Sequence, residues 1–373
     1  MSRSSSILRN LLNIPGWSTN RKLVVFAIDD YGSIRMSSQE SFISLENSGI
    51  KVGTNRYNRF ETIESNSDLD QLFNVLTKFK DRNGNHPVIT PLVCVANPDF
   101  EKIKASGFHE YFYEPFTETL KRYPEHDRVY SLWKEGIERK IFMPQFHGRE
   151  HLNIKRWMAD LQMGVKSTHL AFKCGITGIS SHETNDIHKN YQAVFDMDSP
   201  EDLVNLQEIL SDGLILFENL IGYKASYFTP ANGLFNHKLD FVLKNKGIEL
   251  INVGMVDREP LGKQTYKRVF HYFGQRNKFG QRYIVRNALF EPNKPADFDW
   301  IDRCLNDINI AFRWKKPAII SSHRVNFSGG LVPENRVKGL QSLEILLSKI
   351  LNKWPGVEFI STVSLREILS GTD

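Results

Sequence analysis

The chain reads as an α/β protein built on a parallel sheet, open or closed into a barrel, and three observations carry that reading. Short apolar runs alternate with helix signals from about residue 22 to the end. The runs lack an apolar–polar alternation, as expected of strands covered on both faces. Carboxylates and histidines stand at or just beyond apolar segments, in FAIDDYG, PQFHGREH and AIISSH, the position at which parallel sheets keep their chemistry.

The predicted strands are residues 23–28, 88–95, 141–143, 225–228, 248–253, 283–289, 317–321 and 357–360, each bounded by turn residues. Between them, Ser67 precedes an apolar set at Leu69, Leu72, Phe73 and Leu76, with Asp70 in the capping-box position and Gly84 beyond the end. Ser199 caps a second helix, with Pro200 in its first position and Glu201 and Asp202 on the positive end of the dipole. That helix runs to about Leu220 and breaks near Gly222; a third covers 333–352, and Pro355-Gly356 turns the chain into the last strand. Residues 1–21 read as an N-terminal extension and 22–373 as one domain. Residues 164–197 are irregular and polar, an insertion at the rim of the site. His182, Glu183, Asp186 and His188 within it read as a polar loop rather than a metal site. In the region 260–283, Lys263, Lys267 and Arg268 interleave with Tyr266, Phe270 and Tyr272 without an acidic residue. This is a solvated β-ribbon, or else a lid over an anionic or sugar-like substrate. The aromatic segment 108–116 is core or rim packing, with a sugar-stacking platform as the alternative.

Composition excludes several classes. With 40% hydrophobic and 24% charged residues over 373 positions, the chain buries a sizeable core. A net charge of +5 is too small for this length to argue for nucleic acid. No apolar run is long enough to span a membrane, and the opening stretch makes a poor secretory signal. Cys94, Cys174 and Cys304 are odd in number and widely spaced, which fits a reducing, cytoplasmic compartment better than a disulfide framework.

The chemistry concentrates in three places. Neighbouring side chains on a strand face opposite ways, so Asp29 and Asp30 serve one site only where the strand ends, and Tyr31-Gly32 marks such an ending. His147 and His151 are spaced i, i+4, which places both imidazoles on one face if a helix begins there. Two imidazoles and a carboxylate are a standard trio for a zinc-like ion, with positions left for water and substrate. His323 follows another buried strand, and Asn326 stands three residues beyond it as a candidate substrate contact. The segment HGREH also fits the inverted zinc-protease pattern, with Glu150 as base and Glu218 as a distant ligand. Gly148 inside such a helix costs about 0.8–1.0 kcal/mol relative to Ala, and the protease reading leaves Asp29, Asp30 and His323 without a role.

In order, these motifs resemble those of the polysaccharide deacetylases of carbohydrate esterase family 4. The Asp-Asp pair of FAIDDYG is similar to the family's first motif, and His147-Gly-Arg-Glu-His151 to its H-x-x-x-H second. Phe228-Thr229-Pro230-Ala231-Asn232-Gly233 approaches the third, and Ile319-Ile320-Ser321-Ser322-His323 the fifth. The resemblance covers roughly residues 22 to 365. It implies an irregular (β/α)7 barrel, TIM-barrel-like, that removes an acyl group, N-acetyl above all, from an amino sugar or polysaccharide. It implies Asp29 as general base, His323 as general acid, and Asp30, His147 and His151 as ligands of a divalent ion, zinc first and cobalt as the alternative. Tyr31, Pro230 and Asn232 join Asn326 as candidate substrate contacts. The family's third-motif arginine falls at Thr229 here; Arg149, Lys224 and Arg286 are the candidate replacements. Asp297-Phe298-Asp299-Trp300 matches the fourth motif in letters yet starts a helix, and Asp257 or Glu291 could orient His323 instead. These departures keep two alternatives open, a glycoside-cleaving hydrolase on the same barrel and a non-catalytic carbohydrate-binding protein.

Overall fold

The computed structural model describes residues 9–11 and 13–371, so part of the 1–21 extension lies outside the described residues. Its strands are β1 (Lys22–Tyr31), β2 (Ile89–Cys94), β3 (Ala96–Pro98), β4 (Tyr113–Pro115), β5 (Gln145–Gly148), β6 (Tyr227–Phe228) and β7 (Leu250–Asn252). They continue as β8 (Val256–Gly262), β9 (Thr265–Phe270), β10 (Arg282–Ile284), β11 (Ala288–Leu289), β12 (Ala318–His323) and β13 (Val357–Phe359). One sheet runs β10-β7-β6-β5-β2-β1-β12-β11, with β13 pairing the start of β1, and its ladders are parallel. The sheet curls into an irregular α/β barrel with helices around it. Its two edge strands, β10 and β11, are joined directly through residues 285–287.

Alternation along β1 sorts the core into two compartments. Val24, Phe26 and Ile28 enter the large cluster shared with the surrounding helices, while Val25 and Ala27 enter a smaller one with Leu92, Tyr227, Leu250 and Ile319. The helix Thr362–Ser370 sends Leu365 and Leu369 into that smaller cluster. Trp17 of the N-terminal segment packs beside it, its backbone N–H donating to Phe273 at 3.0 Å.

Several elements differ from the expectation, each for a local reason. The run 141–143 makes only an isolated bridge through Phe142, because Pro144 interrupts it and the strand forms at Gln145–Gly148. The run 283–289 splits into β10 and β11. Two overlapping S-x-x-D boxes compete at the helix Asn66–Thr77, and the earlier one, Ser65 with Asp68, caps it. The second helix begins at Asp202, whose carboxylate accepts the Asp198 and Ser199 N–H groups at 2.8 and 3.0 Å, and it ends at Gly222 with φ +88°. The insertion starts with a helix, Lys166–Lys173, and residues 174–201 then carry no helix or strand. The basic–aromatic region is the antiparallel hairpin β8–β9, the ribbon form.

The helix Asp202–Ile221 sets the position of β5. A Cβ on Gly213 would meet the Phe146 ring and the Arg149 Cβ at 2.9 Å, so only glycine allows this approach. Gly213→Leu is therefore expected to destabilise the fold by about 1–3 kcal/mol, read as a lower urea midpoint at constant m. An unchanged midpoint would mean that the helix stands off the strand.

Candidate active site

Two β-bulges aim the chemistry. Between Ile28 and Tyr31, β1 advances three residues while β2 advances two, from Pro91 to Val93. The extra residue lets Asp30 take φ +82°, so it leaves the alternation that would have buried it among the helices. Gly32 completes the turn at φ +76°, where a Cβ would lie 2.3 Å from the Cys94 carbonyl oxygen. A second bulge falls between Val93 and Cys94, which pair with Phe146 and Gly148, and the residue left over is His147. Beneath the turn, the buried Arg324 guanidinium binds Glu61, Glu64 and the Ser33 carbonyl.

His147 lies on β5 and His151 in the loop after it, with the next helix starting only at Ile154. They meet through a strand and its turn, which corrects the helical reading of the i, i+4 spacing. Asp30 Oδ1 lies 3.5 Å from His147 Nε2 and 3.3 Å from His151 Nε2. That exceeds the usual hydrogen-bond range of about 2.7–3.2 Å. It matches the edge, about 3.4 Å, of a tetrahedron with metal–ligand bonds of about 2.0–2.1 Å. His147 Nδ1–H donates to the Thr229 carbonyl at 2.8 Å, which leaves Nε2 as the free lone pair. Burial, with Arg35 adding, pulls His151 down to about 4, so it is a neutral imidazole at pH 7. Burial alone would raise the Asp30 carboxyl, but Arg35 and the two imidazoles outweigh it and hold Asp30 well below the usual range. The donor set of Asp30, His147 and His151 fits a metal ion.

Asp29 faces other partners. Arg286 Nη1–H donates to its Oδ1 at 2.7 Å, and His323 Nε2 lies 3.6 Å from its Oδ2. The two residues are register neighbours on β1 and β12. Arg286 comes from the link between β10 and β11, and it is the cation that stands against Asp29. His323 Nδ1–H donates to Glu291 Oε1 at 2.5 Å. Glu291 is held in turn by Arg56 and by Asn326 Nδ2–H at 2.9 Å. Burial opposes the imidazolium, but the Glu291 carboxylate, with Asp29, lifts His323 to about 9.

Asp29, Asp30, His147, His151, Arg286 and His323 line one cavity of about 510 Å3, together with Pro230, Asn232 and residues of the insertion such as Ser180, His182 and Asn190. No protein-family model matches the sequence, and none of the curated proteins does. Solved structures do match. The chain is similar in overall course to polysaccharide deacetylases. A putative polysaccharide deacetylase from Mycobacterium smegmatis aligns over 96% of this chain and 93% of its own at 12% identity and TM-score 0.46. A probable polysaccharide deacetylase from Pseudomonas aeruginosa PAO1 aligns over 93% and 91% at 10% identity and TM-score 0.47. A CE4 family pseudoenzyme from Bacillus anthracis aligns over 93% and 66% at 11% identity and TM-score 0.37. These are likenesses of chain course, and the chemistry below rests on the residues themselves.

Two expected substrate contacts do not reach the cavity. Tyr31 is 1% exposed and packs edge-on against Trp133 and Phe142, because it resumes the outward side of β1 after the bulge. Asn326 is fully buried, and its amide is spent on Glu291, Ser322 and the His323 carbonyl. The protease reading fails on Glu150, which turns away to Arg149 and to the Tyr111 hydroxyl at 2.9 Å. Arg149 pairs with Glu150 and Asp212, which removes it as a partner for Asp29. Asp299 caps the helix Trp300–Arg313, so the fourth-motif letters are structural. In segment 108–116, Phe108, Tyr111 and Phe112 pack on the second core cluster and Phe116 stacks on Trp133. Within the insertion, Glu183 is tied to Asn55, Asn58 and Ser180, and Asp186 to Ser167 and Thr184, as expected of a polar loop. Sequence reading missed Arg35, Arg56 and Tyr57, the last edge-on to His323 at 5.6 Å, since they lie in a segment with no motif.

Proposed function

We propose that this chain is a metal-dependent hydrolase that removes an acyl group, N-acetyl in the first instance, from an amino sugar or polysaccharide. The observation that supports it most is the division of labour between adjacent carboxylates. Asp30 turns Oδ1 to the imidazoles of His147 and His151, with Arg35 beside its Oδ2, while Asp29 faces Arg286 and His323. Asp30, His147 and His151 are the residues that would hold the ion, zinc first and cobalt as the alternative. When bound there, such an ion polarises an acyl carbonyl and acidifies water.

The remaining work falls to the chain. Asp29, oriented by the hydrogen bond from Arg286, takes the proton of the attacking water as the C–O bond forms. His323 Nε2–H gives a proton to the departing nitrogen as the C–N bond breaks, yielding a carboxylic acid and a free amine. Arg286 and Glu291 hold these two groups in place without touching the acyl carbon. The polar rim of Asn190, Ser180 and Asn232 suits a polyhydroxylated substrate. The cavity's proton donor is an imidazolium rather than a carboxylic acid, which favours amide over glycosidic cleavage. All three cysteines are free, and no described helix is long and apolar enough to cross a membrane.

Acetate release from an N-acetylated oligosaccharide, with zinc or cobalt added to the chelator-stripped protein, tests the reaction. New reducing ends instead of acetate would identify a glycoside-cleaving enzyme, and neither product would leave a binding protein. His147→Ala is expected to lower metal affinity at the Asp30 centre by at least about 10–100-fold and to abolish acetate release; undiminished release would remove the metal from the reaction.

A further inference from the structure

Among the described residues, one other set of histidine and acidic side chains brings its donor atoms together, outside the cavity. His237 begins the short turn His237–Leu239, Asp257 lies on β8, and His271 directly follows β9. One donor atom from each lies within 4.8 Å of the other two. His237 and Asp257 are each fixed through a neighbour that leaves a ligand atom free. His237 Nδ1–H donates to Asp240 Oδ1 at 3.1 Å, and its Nε2 is buried with no hydrogen-bond partner. Asp240 is held by the Tyr283 hydroxyl at 2.9 Å and by Asn277 Nδ2–H at 3.0 Å. A carboxylate behind an imidazole in this way fixes the tautomer of metal-binding histidines. Asp257 Oδ1 accepts the Gly254 N–H at 2.7 Å, and Oδ2 faces His271 Nε2 at 3.8 Å. His271 is 4% exposed, and neither of its ring nitrogens has a hydrogen-bond partner.

Buried polar atoms in native proteins are satisfied, and leaving one unmade costs about 1–3 kcal/mol. One unmatched nitrogen from each imidazole, converging with a carboxylate oxygen, is chemically a divalent-metal donor set, two imidazoles and one negative charge. The hairpin β8–β9 supplies Asp257 and leads into His271, and it pairs with no strand of the barrel. We propose that His237, Asp257 and His271 form a second divalent-metal site, of zinc type, that clamps the base of the β8–β9 hairpin to the barrel. The ligand atoms, which lie within 4.8 Å of one another, close by up to about 1.4 Å to reach a tetrahedral edge of about 3.4 Å when the ion is bound. The site stands independently of the hydrolase reading, since none of its residues lines the cavity.

The test uses the full chain, stripped with chelator and titrated with Zn2+. Wild type is expected to bind two equivalents, and His147→Ala and His271→Ala one each. Zinc is also expected to raise the melting temperature of His147→Ala but not of the double variant. Should His271→Ala fail to fold, Asp257→Asn in the His147→Ala background keeps the side-chain shape and is expected to weaken zinc binding at least tenfold. A His147→Ala protein that binds no zinc, or binds it equally well after Asp257→Asn, overturns the site. Activity of the single variants tests the hydrolase reading separately, because zinc binding in the His147→Ala background reports on the second cluster alone.

Discussion

Asp29→Asn is expected to lower kcat/KM for acetate release by about 10²–10⁴-fold, with metal content unchanged. In free energy that is about 2.7–5.5 kcal/mol of transition-state stabilisation. The substitution keeps the shape of the side chain and its hydrogen bond from Arg286, but an amide does not accept a proton at neutral pH. Metal content is expected to stay because Asp29 touches Arg286 and His323, not the imidazoles of His147 and His151. Asp30→Asn is the informative contrast, since Asp30 Oδ1 is the oxygen that both imidazoles face. The two variants, one residue apart, should therefore separate metal from turnover by steady-state kinetics and metal analysis. Full activity in Asp29→Asn would take the base role away from that residue.

What the sequence made legible, and what it hid, follows from how local each determinant is. Strands buried on both faces announce themselves as apolar runs, and the helix end at Gly222 is a local consequence of its positive φ. The adjacency of Asp29 and Asp30 signalled a site, but not that a bulge opposite Pro91 and Val93 turns Asp30 inward. Register is a property of two strands, so no single segment encodes it. The same holds for His147 and His151, whose spacing suggested a helix while a bulged strand and a turn unite them. Partner choice was the least readable. Arg286 and Glu291 were among several candidates for orienting Asp29 and His323, and only the course of the chain through residues 285–287 singles out the arginine. Tyr31 and Asn326 show the opposite error, since proximity in sequence to a proposed catalytic residue says nothing about which side of the strand a side chain takes.

The proton donor is expected to answer to Glu291. His323 is lifted to about 9 against the effect of burial, chiefly by the Glu291 carboxylate. The donor is therefore charged below that value, and activity is expected to fall as pH rises through it. Glu291→Gln keeps a hydrogen-bond acceptor but removes the charge that contributes most against burial, leaving the weaker support of Asp29 and Asp30, so the imidazole falls back toward the ordinary value of about 6.5. The Arg56 guanidinium, which now pairs with Glu291, pushes in the same direction once that carboxylate is gone. At pH 8 the protonated fraction then drops from about nine-tenths to about 3%, a loss of about 30-fold in rate. Most of that loss is expected to be recovered near pH 5.5, after correction for the acid limb of the wild type. A pH–rate profile of kcat distinguishes this from simple damage, because a misfolded site loses activity at every pH. An alkaline limb that stays near 9 in Glu291→Gln would show that another group gives up the proton. His323→Ala, which removes the donor outright, is expected to cost about 10²–10⁴-fold with no alkaline limb assignable to His323.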